Sequence, residues 1–287
     1  MILVTGATGQ LGAATTQYLL KKRPSSQVAA LVRDEQKAAD LAKRGVAIRV
    51  GNYDDTASLD RAMQGVEKVL LIAGTDEDNR VRQHKNVVDA ARKAGVPFIA
   101  YTSRTLKDRS TMANALMDGH FQTEDYIMAS GLTYALFRNV LYMDAIPQFV
   151  GPHVFDAGIH LPAGQGKVPF ALRADMGEAM ANALAADSSG SRVYQLTGSK
   201  AYSFADVAAT LSNLSGKTVT YTPAESSVFA AQLTERGVPD MVVQRIIGFL
   251  TDIKNGQEDD VSSDLENLLG RKPISLREGL KTLYNLG

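Results

Sequence analysis

A chain of 287 residues, 45% hydrophobic and 22% charged, is globular and long enough for one large domain or a domain plus a smaller lobe. A formal net charge of zero argues against a general nucleic-acid binder, which carries a basic excess. With no cysteine there is no disulfide framework, thiolate nucleophile or thiolate metal site, and the four scattered histidines form no H-x-x-x-H metal pair. The first residues run straight into an apolar strand without a basic leader, and no apolar run is long enough to span a bilayer. The expectation is therefore a soluble cytoplasmic protein that binds neither membrane nor nucleic acid.

Ile2-Leu3-Val4 is an apolar run of the kind that forms a buried strand, and residues 11–20 have helical apolar spacing. Between them stands Thr5-Gly6-Ala7-Thr8-Gly9-Gln10-Leu11-Gly12. Strand, glycine turn and helix in that order make a dinucleotide loop. Gly6 permits the tight turn, Gly9 lets a pyrophosphate approach the backbone, and Gly12 lets the helix pack closely on the strand. Free N–H groups and the positive end of the helix dipole then face the phosphates. The spacing is G-x-x-G-x-x-G rather than the commoner G-x-G-x-x-G, and glycines also serve ordinary turns.

The alternation continues, with strands at residues 27–32, 46–50, 68–73, 98–103 and 133–137. Helices lie at 34–43, 55–64, 79–94 and 113–129, ended by Gly45, Gly65, Gly95 and Gly131. Strands joined by helices give a parallel sheet covered on both faces, and right-handed crossovers wind it doubly: an α/β fold, Rossmann-like. The pattern loosens after Asn139. Residues 151–167 are loop-rich, 173–186 helical and 193–197 a further strand. Ser203-Phe204-Ala205-Asp206 resembles a capping box, and 217–221 suits a short strand. The rest to residue 287 is mainly helical, with Ser275-Leu276-Arg277-Glu278 capping the last helix. Residues 1–150 thus form the dinucleotide-binding domain, its sheet completed by about 171–200. Residues 151–170 and 201–287 form a smaller, mainly helical lobe over the carboxyl ends of the strands, where such folds bind substrate.

The end of the second strand decides between cofactors. An acid there would bind the adenosine ribose and repel a 2′-phosphate. Arg33 stands at that place, roughly 20 residues past the last glycine, with Lys37 one turn on. A guanidinium holds a phosphate bidentately, so NADPH is favoured over NADH. Asp34 also suits the N-cap of the second helix. Asp76-Glu77-Asp78 and Gln257-Glu258-Asp259-Asp260 read as solvated loops or helix starts, and no metal site is expected.

The glycine loop, Arg33, the Arg138-Asn139 pair, Gly95-Val96-Pro97-Phe98-Ile99-Ala100-Tyr101-Thr102-Ser103, Gly131-Leu132-Thr133-Tyr134 and the helical C-terminal lobe resemble the NmrA-like branch of the atypical short-chain dehydrogenases. Within it the similarity is greatest to type 2 NADPH:quinone reductases and triphenylmethane reductases. The resemblance implies an NADP(H) site formed by residues 6–12, Arg33, Ala73-Gly74-Thr75 and the segment from Phe137 through Arg138 and Asn139 to Tyr142. Asn52-Tyr53 would lie near the adenine, and Leu172-Arg173 near the cofactor. Thr102 and Ser103 are placed to line the nicotinamide pocket or to cap the following loop.

In the wider superfamily the acid is a tyrosine four residues before a lysine, with a glutamate four further on in extended members. Glu124 fits that glutamate; counting back puts His120 at the lysine position and Leu116 at the tyrosine position. Reducing a simple ketone generates an alkoxide and needs a proton donor. A quinone accepts hydride to give a delocalised phenolate, and a triarylmethyl cation gives a neutral product, so neither needs a strong acid. The expected activity is therefore hydride transfer from NADPH to a quinone or similar planar aromatic acceptor. His120, Asn139 and Tyr142 are the candidates on the substrate side. A non-catalytic NADP(H)-binding redox sensor is the alternative, and a sugar-nucleotide epimerase is a third that the absent tyrosine disfavours. The sequence leaves oligomeric state open.

Overall fold

The apolar runs of the first half become six strands: β1 (Ile2–Thr5), β2 (Val28–Val32), β3 (Ala47–Val50), β4 (Lys68–Leu71), β5 (Phe98–Arg104) and β6 (Thr133–Asn139). Between them lie α1 (Gln10–Leu19), α2 (Ala39–Lys43), α3 (Thr56–Ala62), α4 (Arg80–Lys93) and α5 (Asp118–Ala129). There follow α6 (Ile146–Val150), α7 (Val154–Ala157), β7 (Ile159–Leu161), β8 (Lys167–Val168), α8 (Arg173–Ala185) and β9 (Arg192–Leu196). The chain ends with β10 (Tyr202–Ser203), α9 (Phe204–Ser215), β11 (Tyr221–Pro223), α10 (Ser226–Glu235), α11 (Asp240–Lys254), α12 (Asp264–Leu269) and α13 (Leu276–Leu283). This computed structural model describes residues 1–186 and 190–286; residues 187–189 of the sheet-completing segment and residue 287 at the end of the lobe lie outside it.

Seven parallel strands form one sheet in the order β3-β2-β1-β4-β5-β6-β9, which is the doubly wound arrangement with one added strand. Every residue of β1, β2 and β5 is buried, as a sheet covered on both faces requires. Val4, Ala30, Leu70, Ala100 and Phe137 face α1 and α8 on one side; Leu3, Leu31, Ile99, Tyr101 and Leu136 face α3, α4 and α5 on the other. Leu250, Ile253, Leu276 and Leu280 of the C-terminal segment join the first cluster, so one apolar core runs from sheet to lobe. The helices α1 and α8 meet so closely that a Cβ on Gly177 would lie 2.7 Å from Ala14 Cβ. Both expected N-caps, Ser203 with Asp206 and Ser275 with Glu278, form complete capping boxes.

Four elements differ from the sequence expectation. The second helix is a 3-10 turn, Gln36–Ala38, followed by α2. The expected helix from 113 begins only at Asp118, after a 3-10 turn Ala115–Met117. Its first N–H groups, of Ala113 and Asn114, donate to Asp252 of α11 instead. The loop-rich 151–167 contains α7 and β7 and ends on the first residue of β8. The short strand expected at 217–221 forms at Tyr221–Pro223, where it pairs in parallel with β7. Among the described residues no helix is long and apolar enough to cross a membrane.

Candidate active site

The chain leaves β1 at Thr5 and turns at Gly6, whose φ of +57° favours glycine. Gly9 N–H closes the turn on Gly6 O at 3.0 Å. Gly9 is also the N-cap of α1. It has no side chain to satisfy the first-turn N–H groups, and no acid stands in that turn. A Cβ on Gly12 would lie 2.2 Å from Gly6 O and 2.9 Å from Ala7 Cα, so this glycine is what lets the helix sit on the turn. Gly6, Thr8, Gly9 and Gln10 are exposed while Ala7, Leu11 and Gly12 are buried. The result is an open, positively polarised cradle over the tip of β1.

Arg33 and Lys37 are exposed at the end of β2, and neither has an ion-pair partner among the described residues. Asp34 is not the N-cap expected of it: the 3-10 turn is capped at Glu35 and α2 at Ala38, and Asp34 Oδ1 accepts Gln36 N–H at 2.9 Å in the turn before them. After β3, Asn52 Oδ1 accepts the N–H groups of Asp54 and Asp55, which makes a tight turn. Tyr53 turns inward. Its hydroxyl donates to Ile72 O at 2.9 Å and lies 2.5 Å from Thr5 Oγ1, which itself accepts Ile72 N–H. This ring of bonds fixes the tips of β1 and β4, and burial pushes the Tyr53 phenol up.

The segment after β4 is pinned at both of its first residues. Ala73 N–H donates to Thr102 Oγ1 at 2.8 Å, and Gly74 N–H to His84 Nε2 at 3.1 Å. Buried Arg80 donates from Nε to Gly74 O and from Nη1 to Leu116 O. Thr75 is exposed beyond them.

At the tips of β5 and β6 the register pairs Ser103 with Arg138 and Arg104 with Asn139. Cross-strand partners share a face, so two groups of side chains flank the strand ends. On the α5 side lie Ser103, Tyr101 and His120, with His120 Nδ1 3.0 Å from the Tyr101 hydroxyl. On the lobe side, Asn139 Nδ2 donates to the Tyr142 hydroxyl at 3.2 Å. One face of the Tyr142 ring is covered by the Arg173 guanidinium, 4.1 Å from its centroid. Ser103 Oγ and Asn139 Oδ1 are buried without a hydrogen-bond partner. The structure therefore places His120 apart from Asn139 and Tyr142, on opposite sides of one pair of strand tips.

Two of the expected cofactor residues have their side chains engaged elsewhere. Phe137 is fully buried and stacks on Tyr194, with ring centroids 5.5 Å apart. Arg138 turns back along α5 and pairs with buried Glu124 through both carboxylate oxygens, at 3.0 and 2.6 Å. The solvated reading of the two acidic runs also needs correction. Asp76 accepts the backbone and side-chain N–H groups of Asn79, the N-cap residue of α4. Glu77, however, is buried between Arg80 and Arg245. Gln257 and Glu258 are buried too. Glu258 pairs with Arg104, and Gln257 Oε1 accepts Asp108 N–H. Asp76 and Asp78 of the first run, and Asp259 and Asp260 of the second with Lys107, do stay at the surface. Among the described residues no group of three or more metal-ligating side chains occurs.

Sequence reasoning passed over His84, Arg80, Tyr101 and Asp252. Asp252 left one trace: it sits four residues after Gly248 on the apolar face of α11, where a solvated acid has no place.

Both site histidines are held neutral. Burial, with Arg80 adding to it, pushes His84 down to about 3. Burial, then Arg80, Arg104 and His84, holds His120 well below the ordinary imidazole range. The unfolded chain binds these protons below about pH 6.5 while the folded state refuses them. Stability is therefore full above that pH and falls on acidification. His84 contributes a loss of about 2 kcal/mol by about pH 5, and His120 acts in the same direction. Urea unfolding across this range is expected to show that slope, and His84→Phe to flatten it by the share of one proton. An unchanged slope in that variant would contradict the buried neutral imidazole.

The NmrA-like family model matches residues 1–283. Quinone oxidoreductase 2 of Escherichia coli (strain K12) is 38% identical over 287 residues, covering 100% of this chain and 99% of that protein. The crystal structure of the Escherichia coli NADPH-dependent quinone oxidoreductase QOR2 complexed with NADPH superposes with a TM-score of 0.92 at 37% identity, over 99% of this chain and 100% of that one. The Citrobacter sp. triphenylmethane reductase complexed with NADP(H) does so with a TM-score of 0.91 at 35% identity, over 99% and 100% of the two chains. The chain belongs to the NmrA-like family.

Proposed function

We propose that the protein is an NADPH-dependent reductase that delivers hydride to a quinone or a similar electrophilic aromatic acceptor, without a tyrosine–lysine acid pair. The observation that carries this is the uncapped start of α1, held against its glycine turn at a distance that a Cβ at Gly12 would not allow, beside the two cations Arg33 and Lys37, which have no ion-pair partner among the described residues. Quinone oxidoreductase 2 and triphenylmethane reductase, similar over nearly the whole chain, support the class of reaction and of acceptor. NADPH, when bound, supplies the hydride.

The chain's own residues would do the rest by binding and orientation. The free N–H groups of residues 7–12, that of Gly9 being already donated to Gly6 O, would hold the diphosphate, with Thr8 and Gln10 bordering it. Arg33 would grip the 2′-phosphate with both arms of its guanidinium, and Lys37 would add charge. Ser103 Oγ and Asn139 Oδ1, buried and unpartnered, suit the polar groups of the nicotinamide half. Ala73, Gly74, Thr75 and Thr102 would border it, as held in place by the bonds described above. Neutral His120 would offer an acceptor oxygen a hydrogen bond without needing to lose a charge, which is enough for a phenolate product. Tyr142, stiffened by Arg173, would border the acceptor on the lobe side.

NADPH oxidation is expected to be slow alone and strongly stimulated by a quinone. Arg33→Ala is expected to weaken NADPH binding by about 10- to 100-fold while leaving NADH binding unchanged. Equal losses for both cofactors would remove Arg33 from the 2′-phosphate. Tight NADPH binding with no turnover across a quinone and dye panel would favour the non-catalytic redox sensor.

A further inference from the structure

The pinned segment 73–75 and the helix that carries His120 are joined through one buried ring. Gly74 N–H points at His84 Nε2, 3.1 Å away, so that nitrogen carries no proton. The other ring nitrogen, Nδ1, lies 3.0 Å from Thr123 Oγ1. The single Thr123 hydroxyl proton is donated to Gly119 O at 2.7 Å, so Thr123 accepts from His84 Nδ1–H. Every bond is satisfied by one tautomer of a neutral imidazole. Gly119 and Thr123 flank His120 in the first turns of α5.

The ring is fully buried and set edge-on between two tyrosines. Tyr53 lies 6.2 Å from it at 74°, and Tyr101 5.3 Å at 69°. Tyr53 is tied to Thr5 at the tip of β1, and Tyr101 to His120. His84 thus stands where the β1 tip, the post-β4 segment and the start of α5 meet. Burial and the neighbouring Arg80 guanidinium push the ring down to about 3, so at neutral pH Nε2 is an acceptor.

We propose that His84 is a positioning residue, which sets segment 73–75 relative to His120 through the chain Gly74 N–H, imidazole, Thr123 hydroxyl, Gly119 O. This rests on the reading that segment 73–75 borders bound NADPH. Without the acceptor, Gly74 N–H turns to water in the empty protein, and the cofactor must order the segment again. The effect falls on cofactor affinity rather than on the rate of the saturated enzyme.

Calorimetric titration of NADPH into wild type, His84→Gln, His84→Phe and Thr123→Val, with steady-state kinetics on one quinone, tests this. His84→Phe keeps a ring but offers Gly74 no acceptor. Its NADPH Kd and KM are expected to rise about tenfold, the size expected when a buried donor loses its partner. The kcat at saturating NADPH is expected to stay within about twofold, and the quinone KM to be unchanged. His84→Gln, whose amide oxygen can meet Gly74 N–H, is expected to stay within about threefold of wild type. Thr123→Val, which keeps shape but loses the hydroxyl, should fall between the two. A Phe variant that binds NADPH like wild type, or a Gln variant as impaired as Phe, overturns the proposal. If His84→Phe does not fold, Thr123→Val decides, and an unchanged Kd there overturns it. Wild type that binds no NADPH overturns the functional reading itself, whereas normal wild-type binding with an unaffected Phe variant overturns only this link.

Discussion

Gly12→Ala is expected to weaken NADPH binding by at least about 100-fold and to lower stability by about 3 kcal/mol. The added methyl would stand 2.2 Å from Gly6 O, 2.8 Å from Gly6 C and 2.9 Å from Ala7 Cα. All three are backbone atoms, so no rotamer change relieves the contact. Gly6 is already committed by its positive φ and by the bond it accepts from Gly9. Withdrawal of α1 is opposed from behind, where Gly177 of α8 lies against Ala14 and Thr15. Either the turn opens or the helix start lifts off it, and in both cases the N–H groups lose their common focus. Gly9→Ala is the control. Its Cβ would meet only Gly6 O, at 3.3 Å, so stability is expected to hold within about 1 kcal/mol. Its methyl stands on the exposed cradle, so NADPH affinity is still expected to drop. Urea unfolding and calorimetry on the two variants separate fold from cofactor. A Gly12→Ala protein that binds NADPH as well as wild type would mean that this loop does not hold the diphosphate.

The features legible in the sequence are those decided within a few residues. The turn between β1 and α1 and the Ser203 and Ser275 capping boxes depend on local geometry, and all form where expected. The doubly wound sheet followed from alternation of apolar strand and helix, because each helix must cover a face. Side-chain direction at strand tips was harder. Phe137 and Arg138 stand at the right end of β6, yet register sends one into the core against Tyr194 and the other to Glu124. Least legible were contacts between distant segments. Residues 113–117 have helical spacing, but two of their N–H groups are taken by Asp252. Gln257 and Glu258 look like a polar loop because nothing nearby shows that Asp108 and Thr111 are waiting for the first and Arg104 and Thr105 for the second. His84 and Tyr101 occupy ordinary core positions of α4 and β5, and only their partners give them a role.

Glu258→Ala is expected to destabilise the protein by about 3–5 kcal/mol, because it strands a buried guanidinium. Arg104 and Glu258 are both buried where β5 meets the lobe, with Arg104 also stacked 4.6 Å from the Phe249 ring centroid. Burial, with Arg80 adding to it, pushes the guanidinium down to about 10 against the opposing pull of Asp252. Removing the carboxylate therefore leaves a charge that water cannot reach and that Asp252 only partly offsets. The loss reaches the site because the same stretch of lobe holds the segment after β5. Thr105 Oγ1 donates to Glu258, Lys107 N–H to Gln257 O and Asp108 N–H to Gln257 Oε1. That segment leads directly into α5 and His120, whereas residues 6–12 and Arg33 lie on the other half of the sheet. The acceptor KM is thus expected to rise in Glu258→Ala while NADPH affinity changes little. Arg104→Met combined with Glu258→Leu removes both charges and keeps volume, and is expected to recover most of the lost stability. Restored stability without restored acceptor KM would show that the pair positions the segment as well as holding the lobe. If Glu258→Ala alone unfolds at the wild-type urea midpoint, the pair is not buried as described.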